Sequence, residues 1–468
     1  MKKLLRKLIP DWLLSIYHWK LALLGALVYG FPSRKLKMVG VTGTKGKSTV
    51  VVLAGRVLAE KFSTSSNNKP AAGWISSLTI NDGKSEIMNP YHMTMPGRFF
   101  IQKTLRQMVK NGCQYALVEV TSEGIKQFRH QFINWAGAVF TNLALEHLEA
   151  HGGFANYRAV KMKLFEAASK NPESFGVYNL DDENAEWFLK YPIKNKFGYY
   201  LDPSTRPAVA GLAQGIKKVL PERSEAKSKA IEKLQVLSLS LNSNGSEFEI
   251  NGVKFKTNLL GEFNVQNCAA AVAIGQACGV SLEVAAQALG KIQSIPGRLE
   301  IINEGQDFTV VVDLAHTPDS FGKVFKLFKD LLVRRSPAQR DEGGAHTHNK
   351  IISVFGSAGG GRDKWKRPEL GQIASQYSDQ IFITNEDPYD EDPLYIADEI
   401  LAGCDKTRAD IILDRRQAIA KALNLAQAGD IVLVLGKGTE QTYVEDSKKI
   451  YWDDRVVVRE EIKKRLVL

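Results

Sequence analysis

Lys37-Met38-Val39-Gly40-Val41-Thr42-Gly43-Thr44-Lys45-Gly46-Lys47-Ser48-Thr49 is the stretch on which the fold turns. Lys37–Thr42 reads as a short apolar strand, Gly43–Ser48 as a glycine loop, and Thr49–Glu60 as a helix by its apolar periodicity. Strand, loop and helix in that order predict an α/β nucleotide-binding opening. Backbone N–H groups of such a loop and of the helix N-terminus point at phosphates; Lys47 neutralises their oxygens and Ser48 can reach Mg²⁺. A bare glycine turn is the competing reading, and the strand–loop–helix context argues against it. Tyr115–Val120 and Gly137–Thr141 predict further buried parallel strands whose polar ends deliver chemistry at one edge of the sheet.

Leu234–Leu241 and Phe248–Phe255 predict a hairpin closed by Asn242-Ser243-Asn244-Gly245, beyond a Lys/Glu/Ala/Ser-rich stretch, Ser204–Lys233. From Pro296 a second α/β unit is predicted, with strands at Thr309–Asp313, Lys350–Phe355, Gln380–Thr384, Ile411–Leu413 and Asp430–Leu435. Arg334–Asn349 reads as a surface loop, and its His346-Thr347-His348 as solvated rather than metal-binding.

A chain of 468 residues exceeds what one core usually serves, so several domains are expected. Cys113, Cys268, Cys278 and Cys404 stand singly, which excludes a zinc ribbon or disulfide framework and fits a reducing compartment. The net charge of +11 favours polyanionic partners, but no basic-aromatic stripe points to nucleic acid. At the N-terminus, Met1-Lys2-Lys3-Leu4-Leu5-Arg6-Lys7 precedes an apolar stretch, Trp12–Phe31, that His18 and Lys20 interrupt. The uninterrupted run Leu21–Phe31 is too short to cross about 30 Å of hydrocarbon. One or two amphipathic helices packed on the next domain are predicted, with Trp12, Leu13, Leu21, Leu24 and Val28 as core residues. Peripheral contact of residues 1–33 with a membrane face is the alternative.

The loop lacks the first glycine of the common GxxxxGK[ST] pattern, since Val41 stands there, and VTGTKGKST resembles the shortened phosphate loop of the Mur ligase and folylpolyglutamate synthase superfamily. Glu119-Val120-Thr121-Ser122 resembles the family's EVSS. Thr141-Asn142-Leu143, Glu146-His147-Leu148 and His151-Gly152 resemble its TNL…DHLxYHG, and Tyr157–Lys161 its YxAAK. Gly261–Asn267 resembles GxFNxxN, Pro296-Gly297-Arg298 PGR, Asp313–Ser320 DYAHTPDS, and Gly436–Glu440 GKGHE. Together these resemble the MurE branch, ligases that add the third residue of the peptidoglycan stem peptide to a UDP-N-acetylmuramoyl dipeptide.

The resemblance implies a short helical segment (1–36), a central P-loop-type ATPase domain with a parallel sheet (37–295), and a Rossmann-like α/β domain that binds the amino acid (296–468). It implies an ATP-dependent, Mg²⁺-using cytoplasmic monomer that activates a carboxylate as an acyl phosphate for attack by an amine. Gly43, Thr44, Lys45, Gly46, Lys47, Ser48, Thr49, Asn264, Asn267, Arg298, Asp313 and His316 are implied to hold ATP. Ser48, Glu119, His147 and a carbamylated Lys161 are implied to hold magnesium, with Lys47, Glu119, His147 and Lys161 catalytic. Thr94, Ser122, Gln127 and Arg129 fall where the family holds the acceptor, and Arg362, Glu386, Asp387, Tyr389, Gly436 and Glu440 where it holds the amino acid. The family's additional uridine-gripping N-terminal domain has no counterpart in residues 1–36, and Glu123 and Met95 depart from its pattern. A folylpolyglutamate- or cyanophycin-synthetase-like ligase and a non-catalytic subunit are therefore alternatives. Glu386-Asp387-Pro388-Tyr389 replaces the DNPR that reads diaminopimelate; without its arginine, the two carboxylates favour an amine, as in lysine.

Overall fold

The computed structural model describes residues 10–63, 71–91, 93–144, 151–205, 231–335, 349–361, 363–445 and 448–467. They fall into two compact units, Met1–Gln293 and Ser294–Leu468. The strands of the first are β1 (Lys37–Thr42), β2 (Ala72–Ile75), β3 (Thr79–Asn81), β4 (Glu86–Met88), β5 (Tyr115–Glu119), β6 (Trp135–Phe140), β7 (Phe175–Asn179), β8 (Asn195–Leu201), β9 (Ile231–Asn242), β10 (Gly245–Ile250) and β11 (Val253–Thr257). They form one sheet, ordered β11-β10-β9-β8-β7-β6-β1-β5-β2-β3-β4, with β1 at its heart between β5 and β6. The strands from β2 to β9 in that order are parallel, and antiparallel ribbons extend both edges.

Both faces of the parallel part are covered, as near-continuous apolar strands require. Met38, Val118 and Phe140 pack with Ile101, Leu105 and Met108 of the helix Arg98–Asn111 and with Leu164 and Phe165 of the helix Phe154–Ser169. The phosphate-loop helix, Lys47–Ser63, covers the opposite face, where Gly55 lies against the Trp74 ring. The predicted hairpin forms, but Phe248–Phe255 is two strands rather than one. Asn251 (φ 48°) and Gly252 (φ 87°) make a second tight turn between β10 and β11.

The N-terminal helix, Asp11–Val28, packs on the helix Arg98–Asn111, with Gly25 close to the Arg98 backbone. Its predicted core is largely reversed, with Leu21 half-buried. Ala22, Gly25 and Ala26 are buried, whereas Trp12, Leu13, Leu24 and Val28 are exposed, because only the small-residue face allows close approach.

In the second unit, β12 (Glu300–Ile302), β13 (Thr309–Asp313), β14 (Ile351–Phe355), β15 (Gln380–Ile383), β16 (Ala409–Ile411) and β17 (Ile431–Leu435) form a sheet ordered β12-β13-β17-β14-β15-β16. All but the antiparallel edge strand β12 are parallel. The fourth predicted strand sits two residues earlier than expected, at β16. A separate hairpin, β18 (Thr442–Glu445) with β19 (Lys448–Tyr451), carries no signal that the sequence reading detected. His346, Thr347 and His348 lie outside the described residues.

Gly40, in the middle of β1, is where sheet and helix come closest: a Cβ there would lie 2.7 Å from Leu164 Cδ1 and 3.0 Å from the Trp135 ring. Overpacking this contact would push away the helix that carries Lys161. Gly40→Val is expected to lower stability by about 1–3 kcal/mol, read by urea denaturation, with ligase activity reduced in the folded fraction.

Candidate active site

The phosphate loop leaves β1 at the carboxyl edge of the sheet, and its own polar groups are tied down by its own Lys47, by the helix Phe154–Ser169 and by the segment that follows β6. Lys161 Nζ donates to the Gly43 carbonyl at 2.7 Å, Lys47 Nζ to the Thr44 carbonyl at 2.7 Å, and Thr141 Oγ1 to the Lys45 carbonyl at 2.7 Å. The Thr44 and Lys45 amides donate to the carbonyl and side-chain oxygens of Asn142, each at 2.8 Å. Two positions demand glycine. A Cβ on Gly43 (φ 148°) would lie 2.0 Å from Thr141 Oγ1, and one on Gly46 (φ 80°) 2.3 Å from Asn267 Oδ1. The helix then begins at Lys47, and its first amides have no preceding turn to bind. They form, with the N-terminal pole of the helix, a site suited to phosphate oxygens.

Around that pole the structure brings together Lys47, Ser48 and Glu119. Lys47 Nζ lies 3.9 Å from Glu119 Oε1, and Glu119, only 3% exposed, accepts the Ser77 amide on Oε2 at 2.8 Å. Ser48 Oγ and Ser77 Oγ are 2.7 Å apart. Ser77, which the sequence reading missed, lies in the tight link between β2 and β3, a contact that only tertiary folding creates. Carboxylate and hydroxyl oxygens beside a lysine suit a hard cation carried on phosphates, so Ser48 and Glu119 fit Mg²⁺. Among the described residues, no three His, Cys, Asp or Glu side chains converge on one metal position. His147 lies outside the described residues.

Lys161 is 1% exposed and its ammonium sits 4.6 Å from the centre of the Tyr157 ring; Tyr157 OH in turn lies 3.2 Å from Thr44 Oγ1. The Asn264–Asn267 pair is placed against the phosphate loop: Asn267 Nδ2 donates to Asn264 Oδ1 at 3.1 Å, and Asn264 Nδ2 to the Leu260 carbonyl at 2.9 Å. Thr49 is buried in the first turn of the helix.

Of the acceptor candidates, Ser122 is buried at the start of the short helix Ser122–Lys126, whose cap is Thr121. Thr94 is half-buried. Arg129 donates to the Met95 carbonyl and, through Nη2, to Gln127 Oε1 at 2.6 Å, while its buried Nε has no partner among the described residues. Arg98, which sequence reading did not single out, donates to the Gln127 carbonyl at 2.7 and 3.0 Å. Burial lowers the pKa of both guanidiniums, and Arg98 is lowered further by the Arg129 charge. Two cations held this close would be relieved by an anion.

In the second unit, Asp313 accepts the amides of Leu299 (2.8 Å) and Ala315 (2.7 Å), so its carboxylate ties the PGR turn to the strand end. Gly297 in that turn could not carry a side chain: a Cβ would lie 2.4 Å from the Gly438 carbonyl carbon. Arg298 Nε is buried without a partner among the described residues, and His316 Nδ1 lies 2.7 Å from the Leu314 carbonyl.

The two acidic residues after β15 divide sharply. Asp387 is committed, accepting from Lys437 Nζ at 2.9 Å and from the Val444 amide at 2.8 Å; Glu440 takes the same lysine at 2.8 Å. Glu386, 6% exposed, keeps Oε2 without a hydrogen-bond partner among the described residues, beside Gly436, where a Cβ would lie 2.4 Å from that oxygen. Burial raises the Glu386 pKa above the ordinary carboxylate value, although Lys366, Arg415 and Lys437 pull it down. Tyr389 is held at φ 58° with its ring against Gly360. Arg362 lies outside the described residues. Arg367 and Lys364 pair with Glu391, whose carboxyl is held at about 2, so neither stands idle.

The family model of the Mur ligase middle domain matches residues 41–275, and that of the Mur ligase glutamate ligase domain residues 297–438. A UDP-N-acetylmuramyl-tripeptide synthetase of Borreliella afzelii is 38% identical over 444 residues, 93% of this chain and 78% of that protein. A UDP-N-acetylmuramoyl-L-alanyl-D-glutamate–2,6-diaminopimelate ligase of Syntrophomonas wolfei is 33% identical over 449 residues, 94% of this chain and 81% of that protein. Among solved structures, another ligase of that diaminopimelate type superposes with a TM-score of 0.57 at 27% identity, over 92% of this chain and 79% of that one.

Lys47→Ala and Glu119→Ala are each expected to lower kcat for ATP-dependent ligation by about a hundredfold or more, with unchanged circular dichroism. Near-native turnover in either variant would show that the phosphate chemistry lies elsewhere.

Proposed function

The chain belongs to the Mur ligase family, ATP-dependent ligases that form amide bonds in peptidoglycan synthesis, and from that premise we propose that it adds a diamino acid such as lysine to a UDP-N-acetylmuramoyl dipeptide in the cytoplasm. The convergence of Lys47, Ser48 and Glu119 at the ends of β1 and β5 carries the reading. The acceptor carboxylate takes the γ-phosphoryl group of ATP, and the resulting acyl phosphate is attacked by the amine, releasing phosphate. Both reactants of the first step are anionic. Lys47 and the helix N-terminus offset that repulsion where charge develops, while Arg129 and Arg98 orient the acceptor's carboxylates. Magnesium held by Ser48 and Glu119 supplies further charge neutralisation when bound.

Lys161 is proposed to act as a carbamate. If the ammonium gives up a proton and the neutral amine adds carbon dioxide with loss of a second proton, the resulting carbamate is an anion that keeps one N–H, so the bond to the Gly43 carbonyl can persist while the new oxygens would suit a hard cation. Lys161→Ala is expected to lose activity that a small carboxylic acid partly restores. An unmodified Lys161 in a high-resolution map of active enzyme prepared with bicarbonate would refute the carbamate.

For the amino acid, Glu386 is the group that supports a terminal amine, since Asp387 already neutralises Lys437. In competition assays lysine is expected to outdo meso-diaminopimelate by about tenfold or more, because no arginine stands at Tyr389 for the distal carboxylate. Glu386→Gln is expected to raise KM for lysine by about tenfold and erase the preference. Because the pKa of Glu386 is raised in the folded state, ionising it costs stability as pH rises above the ordinary carboxylate range. Glu386→Gln should therefore melt higher than the parent at neutral pH, the gap closing towards pH 4, and parent affinity for lysine should fall as pH drops through the raised value. A preference for diaminopimelate would assign the pocket to a carboxylate instead.

A further inference from the structure

The helix Asp11–Val28 is amphipathic the wrong way round for a helix whose partners all lie in its own domain. At about 100° per residue, Ser15, His18, Ala22, Gly25 and Ala26 share the arc turned towards the helix Arg98–Asn111. The other arc, about half the circumference, carries the large apolar side chains. Trp12 is 64% exposed, Leu27 55% and Val28 60%, with Leu13, Ile16 and Leu24 also exposed. Leaving such a row in water is unfavourable, and a contiguous apolar face of this kind marks a contact surface. Among the described residues no helix is long and apolar enough to cross a membrane, so the face suits contact along a bilayer rather than passage through it.

Charge selects the occupant. Residues 1–36 contain Lys2, Lys3, Arg6, Lys7, Lys20, Arg34 and Lys35 against a single acidic residue, Asp11. Lys20 lies within the apolar arc, where its long stem can lie along the hydrocarbon while its ammonium reaches headgroups. Tyr17 and Trp19, both partly exposed, are side chains favoured at that depth. We propose that this helix seats the enzyme on the surface of a bilayer containing anionic phospholipid. The helix also touches the candidate acceptor residues: His18 Nδ1 lies 2.5 Å from Arg98 Nη2, and Arg98 holds the Gln127 carbonyl.

The full chain, sedimented with vesicles of equal phosphatidylcholine and phosphatidylglycerol, is expected to bind, and to bind more weakly to phosphatidylcholine alone. Replacing two exposed apolar residues, Ile16→Glu with Leu27→Glu, is expected to cut binding about tenfold or more while leaving ligase turnover unchanged. Brominated lipid is expected to quench tryptophan emission of the parent protein, a reading that needs no variant to fold. Three results would overturn the proposal: no quenching and no binding to either vesicle, equal binding by parent and variant, or self-association abolished by the two substitutions without vesicle binding. The last would give the face to a second copy of the chain. Since vesicle binding, quenching and self-association use no ligase substrate, their failure is distinguishable from failure of the proposed reaction.

Discussion

Everything at the catalytic edge of the first unit depends on one requirement: a backbone loop must be fully satisfied on its protein side while its helix-end amides stay open for phosphate. The carbonyls of Gly43, Thr44 and Lys45 are taken by Lys161, Lys47 and Thr141 in turn. A buried carbonyl without a partner costs about 1–3 kcal/mol, so none of the three anchors is idle. The geometry propagates outwards. Lys161 reaches Gly43 only because Gly40 lets its helix settle on β1, and the loop clears the helix Glu262–Ala277 only because Gly46 has no Cβ to strike Asn267. Packing, hydrogen bonding and charge are therefore specified together.

The second unit solves a different problem, that of holding an acidic site inside a cluster of buried cations. Arg415 is bound by Asp454 at 2.6 and 2.8 Å, and Lys437 by Asp387 and Glu440. Removing one partner from such a pair leaves an uncompensated charge, which costs about 3–5 kcal/mol. Glu386 sits among these pairs without a hydrogen-bonded cation on Oε2 among the described residues, while the positive charge of Lys366, Arg415 and Lys437 opposes the rise in its pKa that burial causes. A carboxylate paired within the protein would already be neutralised before an amine arrived. Asp387 fills a structural role that its sequence position beside Glu386 conceals.

Local pattern carried much of this in advance. β1, β13 and the phosphate loop are legible because strand periodicity, glycine punctuation and a helix start agree within a dozen residues. What escaped depends on long-range contact. Ser77 meets Glu119 across 42 positions, and Arg98 comes near Arg129 because both bind Gln127, in the turn that follows the helix Ser122–Lys126. Asn251-Gly252 carried a readable turn signal, yet the apolar residues on either side made Phe248–Phe255 look continuous. The N-terminal helix was legible as a helix but not in its orientation: apolar residues were expected inside, whereas the close helix contact selects the smaller ones.

That reversal bears on how the first unit is wired. The small-residue face of the helix Asp11–Val28 brings His18 to Arg98, and Arg98 and Arg129 both hold Gln127, one through its carbonyl and the other through its side chain. Burial lowers the pKa of both arginines, and the Arg129 charge lowers that of Arg98 further. Their mutual repulsion is a cost that an incoming carboxylate would relieve and a bulky residue at Gly25 would worsen, by shifting the backbone that positions Arg98. A helix that exposes its large side chains can thus hold an arginine through its small ones, and the position of Arg98 is set by how closely the two helices approach at Gly25.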